Sequence, residues 1–204
     1  AETLQEPLPN RLETILGLLV QNKMNEVLEE AAKLEKDFPN SATLHNIIGI
    51  ACATLKDYQT AISSFRQAIE IKANFADAYF NMGNALGESG RPSQAIEALK
   101  RAILVKPRYA EAHNNLGNLL TDQERLEEAI ASYKAAIKST PNYAEAYHNL
   151  GNAWLKVREQ DLAIVNLQKA SKLRPNSPEI HQSLGNALNA NNCYEESIAC
   201  YERA

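Results

Sequence analysis

The sequence predicts an all-α solenoid of about six helical hairpins, and three observations predict it. A 34-residue pattern recurs without a gap over 76–109, 110–143 and 144–177, and periods of this length are the mark of repeat architectures. Within each unit, small and apolar residues return at offsets of 3 and 4, the spacing of one helix face. A proline recurs near the end of most units, at Pro39, Pro107, Pro141 and Pro175, where it lacks an amide hydrogen and stops the second helix.

Taken in order, residues 1–7 read as an N-terminal tail and 8–41 as a degenerate first unit. Pro39 and the second helix fit, but Ile15 stands where glycine is expected, and Arg11 and Thr14 replace apolar residues. An atypical end unit suits a solenoid, whose outer face has no neighbour to cover it. Unit 42–75 carries Ile48-Gly49, Cys52, Ala61, Phe65 and Ala68, with Ala73 in the proline place. Unit 76–109 repeats this as Met82-Gly83, Leu86, Ala95, Leu99 and Ala102, and Pro92 follows the Gly90-Arg91 turn, where a first-turn proline is tolerated. Unit 110–143 has Leu116-Gly117, Leu120, Ala129, Tyr133 and Ala136; unit 144–177 has Leu150-Gly151, Trp154, Ala163, Leu167 and Ala170. The last unit, 178–204, has Leu184-Gly185, Leu188, Ser197, Tyr201 and Ala204 and breaks off within its second helix, so the chain reads as a piece of a longer protein. Glycine at the eighth place and alanine at the twentieth lack bulk, which lets paired helices approach closely.

Gly, Ala, aromatic and Pro places matched over successive units resemble the tetratricopeptide repeat family, across roughly residues 8–204. The resemblance implies a right-handed α-solenoid of helix-turn-helix repeats. It also implies a concave groove lined by the second, fifth, sixth, ninth and thirteenth places of each first helix. The sixth place carries Asn81, Asn115 and Asn149, and the ninth Asn84, Asn118, Asn152 and Asn186. Two amides three residues apart point the same way, and each offers a donor and an acceptor, matching the main chain of an extended peptide. Ile47, Ile50 and Ser183 interrupt the ladder, which therefore belongs to the middle of the chain. The ladder is most like the repeats preceding the catalytic region of O-linked N-acetylglucosamine transferases, and that likeness implies polypeptide bound along the inside of a superhelix. The alternative is that these amides are polar surface, or bond neighbouring units to one another.

The second place carries Asp77, Glu111, Glu145 and Glu179, an acidic line that favours basic or neutral peptide segments. Each acid also stands in a first turn, where it complements the positive helix N-terminus by roughly 0.3–1 kcal/mol. The fifth place carries Asn46, Phe80, Asn114, His148 and Gln182 rather than the Lys and Arg of chaperone-binding family members, which argues against a carboxylate clamp.

Other chemistry is not indicated. Lys plus Arg is 21 and Asp plus Glu is 25, a net charge of −4 and the wrong sign for a phosphate-tracking surface, so nucleic acid is not an expected partner. The apolar run 15–20 falls far short of the roughly 18 residues a membrane span requires. Gly83, Gly87 and Gly90 lack the strand and the Gly-Lys-Ser/Thr of a phosphate loop. The histidines, His45, His113, His148 and His181, fall in separate units, too far apart to share a metal, and read as partly exposed packing residues. Three cysteines without CxxC spacing suit a reducing compartment. The expectation is a cytoplasmic, non-enzymatic interaction scaffold without cofactor or metal, binding a peptide or partner helix in its groove. The alternatives are the substrate-recognition arm of a larger enzyme such as a glycosyltransferase, and a scaffold that self-associates through exposed terminal helices.

Overall fold

The protein is described here by a computed structural model covering residues 6, 7 and 9–204. The tail expected over 1–7 falls mainly on residues 1–5, which lie outside the described ones, as does the start of the first unit at Leu8. The described residues form helices and turns without strands, and the chain divides at Pro107 into two compact units. The first holds α1 (Pro9–Val20), α2 (Met24–Asp37), α3 (Ala42–Thr54), α4 (Tyr58–Ile71), α5 (Ala76–Glu88) and α6 (Pro92–Val105). The second holds α7 (Ala110–Asp122), α8 (Leu126–Ser139), α9 (Ala144–Lys156), α10 (Gln160–Leu173), α11 (Pro178–Ala190) and α12 (Tyr194–Tyr201). Within each unit every helix packs on the next, and successive first helices also touch: α3 on α5, α7 on α9, α9 on α11. Each unit is thus an all-α solenoid segment of three hairpins, the fold class the repeat predicts.

The turn inside each hairpin is set by one left-handed residue, and these recur at the repeat period: Asn22, Lys56, Gly90, Glu124, Arg158 and Asn192, with φ of 58, 64, 75, 59, 63 and 62°. The reversal lets the following amides bond back to the helix end. Lys56 N–H reaches Ala53 O at 3.0 Å and Asp57 N–H reaches Cys52 O at 2.9 Å, which satisfies carbonyls the helix leaves open. Side chains cap two of the helices, one after the turn between hairpins and one after a left-handed turn. Ser41 accepts from the Leu44 amide at the start of α3, and Asp57 accepts from that of Thr60 at the start of α4.

Close packing of each hairpin turns on the eighth-place glycine. A methyl group on Gly49 would stand 2.5 Å from the Phe65 ring, on Gly117 2.4 Å from Tyr133, and on Gly151 2.5 Å from Leu167. The facing residue of the second helix lies flat on bare backbone; Phe65, Tyr133 and Leu167 are all buried there, each burial contributing roughly 1.5–3 kcal/mol. Ser197, where other units have alanine, donates its hydroxyl to Gly185 O at 2.9 Å, so the polar substitute is satisfied at this close approach. Two fourth-place histidines differ from the sequence expectation. His45 and His181 are buried, not partly exposed, and their Nε2–H groups donate to the carbonyls of Pro39 and Pro175 at 2.9 and 2.7 Å. Each ties a first helix to the proline turn before it.

Candidate functional site

Within each unit the predicted asparagines stand on the first helices, and the structure shows what several of their amides already hold. In the first unit, Asn81 donates through Nδ2 to Oδ1 of the buried Asn46, 3.1 Å away, joining α5 to α3. This leaves Oδ1 of Asn81 as an acceptor on a half-buried side chain. Asn84 lies one turn further along and is also half-buried. Asp77 is exposed in the first turn of α5.

In the second unit the ladder is a connected network. Asn149 on α9 spends its amide hydrogens on Oδ1 of Asn114 and Oδ1 of Asn118, both on α7 and both at 3.0 Å. Asn118 Oδ1 accepts a second bond from the Tyr133 hydroxyl at 2.8 Å, and Thr121 Oγ1 lies 3.1 Å from the same hydroxyl. Burial pushes the Tyr133 phenol up to about 12, partly offset by its bond with Thr121, so it stays a neutral donor. Asn114, completely buried, donates to Glu145 Oε1 at 2.9 Å. Further along α9, Asn152 Nδ2 donates to His148 Nε2 at 3.1 Å, and the same nitrogen lies 2.9 Å from Ser183 Oγ on α11. Burial holds the His148 imidazole below its ordinary value, against the opposing pull of Glu179 and Glu145, so it serves this cluster as a neutral acceptor. Asn186 accepts from the Tyr201 hydroxyl at 2.9 Å, and Asn115 is half-buried on α7.

Several of these bonds link first helices within a unit and others tie them to second helices, so part of the amide chemistry expected to face a ligand is already spent. What these bonds leave unspent is specific: Oδ1 of Asn149 and Asn152, Nδ2 of Asn118 and Asn186, and Oδ1 of Asn81. The fifth-place Asn114, expected on the groove, is instead the buried hub. Its role had a trace in the sequence, since Asn46 and Asn114 stand two repeats apart at the same place, but composition alone could not say which way either amide faced.

The acidic line divides in the same way. Glu111 and Glu179 are exposed, like Asp77, whereas Glu145 is half-buried against Asn114. Hydrogen bonds from its own backbone amide and from Ser177 hold the Glu179 carboxyl below its ordinary value, so it is a fixed anion. All four acids sit in first turns, where the helix N-terminus also favours their charge. Among the described residues no group of three or more His, Cys, Asp or Glu is placed to hold a metal ion, and no helix is long and apolar enough to cross a membrane. Trp154 is half-buried, with the Lys134 ammonium 4.8 Å above its ring, a packing role stiffened by cation–π attraction.

A family model described as Tetratricopeptide repeat matches residues 80–144 and 122–178, and a second described as TPR repeat matches 49–90. Together they span 49–178, well over half of the 204 residues. The chain belongs to the tetratricopeptide repeat family. No curated protein matches the sequence. Among solved structures, this tetratricopeptide chain is similar to MamA at 26% identity over 76% of this chain and 91% of that one, with a TM-score of 0.72. It shares its fold with PilF of Pseudomonas aeruginosa, at 23% identity over 79% and 74% of the two chains and a TM-score of 0.72. The same holds for YrrB, described as a TPR protein with an unusual peptide-binding site, at 22% identity over 91% and 92% and a TM-score of 0.69.

Proposed function

We propose that this tetratricopeptide protein is a non-enzymatic interaction scaffold that holds an extended peptide against the first-helix face of each unit. Asn81, Asn84, Asn115, Asn118, Asn149, Asn152 and Asn186 contact the peptide main chain, and Asp77, Glu111, Glu145 and Glu179 bias it toward basic segments. The observation that carries this reading is the leftover valence of amides already fixed by their neighbours. Asn149 and Asn152 each have their Nδ2 committed and their Oδ1 open on half-buried side chains. An amide oriented before binding loses little freedom on binding, and preorganisation of this kind favours affinity. The YrrB likeness adds that this fold accommodates peptides in at least one relative.

The test begins with a dodecamer peptide selected from a random phage-displayed library and labelled for fluorescence polarisation. Replacing Asn115 and Asn152 by Ala together weakens its binding at least tenfold; unchanged affinity removes these residues from the site. Location in the cytoplasm fits the three free thiols, two of them buried, and a redox-sensitive reporter fusion would check it. A second reading, the recognition arm of a larger enzyme such as a glycosyltransferase, draws on the paired sixth- and ninth-place amides of α7 and α9. The sequence of the full gene decides it. Self-association through α12, whose Tyr194 and Ile198 are each 58% exposed, is read by concentration-dependent light scattering.

A further inference from the structure

Two repeats amount to 2 × 34 = 68 residues, so each position of 42–109 has a counterpart 68 further along. At one such place the two units differ in hydrogen-bonding chemistry. In the second unit, Tyr133, Asn118 and Asn149 are joined by hydrogen bonds of 2.8 and 3.0 Å, a polar chain running from α8 across α7 to α9. In the first unit the counterparts of Tyr133 and Asn118 are Phe65 and Ile50, neither of which can hydrogen-bond through its side chain. Here the structure has an open recess of about 270 Å³, lined by Ile50, Ala53, Tyr58, Phe65, Asn81 and Asn84. Thr121, the counterpart of Ala53, bonds the Tyr133 hydroxyl, so the alanine removes a third member of the polar chain.

The recess stands at the small end of the roughly 300–1,000 Å³ range of small-molecule sites and is large enough for a single side chain. Its surroundings say which. Asp77, Asn81, Asn84 and Glu88 follow one another at spacings of 4, 3 and 4, one continuous face of α5. Two amides stand at the middle and an acid at each end. Eleven residues at 1.5 Å each make that stripe roughly 16 Å long, the reach of about five extended residues. Glu88 also lines the recess, whereas its counterpart in the second unit is Lys156.

We propose that the first unit contains a side-chain pocket for an aliphatic residue of a bound extended peptide, with basic residues two positions to either side facing Asp77 and Glu88. The inference rests on the peptide-binding reading above and deepens it. Asn81 and Asn84 hold the main chain at the mouth, Ile50 and Phe65 receive the side chain, and the acids select its neighbours. The second unit, whose counterpart positions carry the bonded polar groups of Asn118 and Tyr133, reads main chain without this preference. Pockets for individual side chains beside main-chain contacts are how extended-peptide sites acquire specificity.

The probes are two capped pentapeptides with lysine at both ends and glycine at positions two and four, one with leucine and the other with serine at the centre. Titration of the full 204-residue chain, followed by amide NMR shifts including the Asn side chains, reads both units at once. The leucine peptide is expected to shift Asn81 and Asn84 with a Kd at least tenfold below that of the serine peptide, the order a buried aliphatic side chain provides. Ala53→Leu, which fills the recess, erases the difference. So does the double change Ile50→Asn with Phe65→Tyr, which writes the second unit's chemistry into the first; circular dichroism confirms that each variant is folded. Equal affinities for the two peptides, with shifts at Asn149 and Asn152 retained, overturn the pocket and leave the main-chain reading standing. No shift at any asparagine of either unit sinks both. A leucine preference that survives in folded Ala53→Leu also overturns the pocket.

Discussion

Replacing Asn149 by Ala looks harmless from the sequence, a polar residue on an expected groove, yet the structure makes it a costly change. The substitution removes two amide hydrogens at once. Asn118 Oδ1 loses one of its two donors and keeps Tyr133, a loss of roughly 0.5–1.5 kcal/mol for an ordinary bond. Asn114 Oδ1 fares worse, because its side chain is 0% exposed and Asn149 is its donor. A buried acceptor left without a partner costs roughly 1–3 kcal/mol. The better helix propensity of alanine offsets about 0.5 kcal/mol. The net is a destabilisation of about 2 kcal/mol, which at a urea dependence of roughly 2 kcal/mol per molar lowers the unfolding midpoint by about 1 M. Asn152→Ala is the control: it loses a single bond to His148, whose Nε2 keeps Ser183, and costs about 0.5 kcal/mol. Urea denaturation of both variants, with native-state hydrogen exchange to locate the loss in α7 and α9, is the assay. A midpoint for Asn149→Ala within error of the parent protein, or equal losses in the two variants, would refute the buried-hub account of Asn114. The same reasoning makes Asn152, rather than Asn149, the residue for a binding test.

Gly117→Ala drives a methyl group to 2.4 Å from the buried Tyr133 ring; overpacking of this kind costs roughly 1–3 kcal/mol, read as a fall of several degrees in the melting temperature. At the hairpin turns the effect has opposite signs: Lys56→Gly, at φ 64°, raises stability by about 0.5–1 kcal/mol, and Gly90→Ala, at φ 75°, lowers it by about 1 kcal/mol. Thermal melts of the pair check both. Burial holds the folded His148 below its ordinary pKa of 6.5, so the unfolded chain takes up the proton first and stability falls as pH drops below about 6.5. Urea midpoints between about pH 7.5 and 5 show this slope, and His148→Gln flattens it.

Much of the architecture was legible without coordinates. The spacing of small residues at the eighth and twentieth places requires close helix pairs, and the proline places stop the second helices. Both are local steric facts, and local facts survive reading one residue at a time. The left-handed turn residues were less visible, because Asn22, Lys56, Glu124, Arg158 and Asn192 are not glycine; the repeat imposes their conformation through the backbone bonds that follow. The candidate site was legible as a set of positions. Asn81 in the first unit, and Asn118 and Asn149 in the second, bond across successive first helices, as the period allows. The sequence by itself determined that hairpins stack and which places meet. Only the tertiary structure decided that the amide hydrogens of Asn81 and Asn149 are spent on Asn46, Asn114 and Asn118, that Asn118 accepts from Tyr133, and that Phe65 and Ile50 line a recess where their counterparts Tyr133 and Asn118 form a bonded polar pair. The reason is physical: a helical period sets the direction of a side chain to within a face, whereas the partner of a hydrogen bond depends on ångström-scale distances between residues some 15 to 35 positions apart.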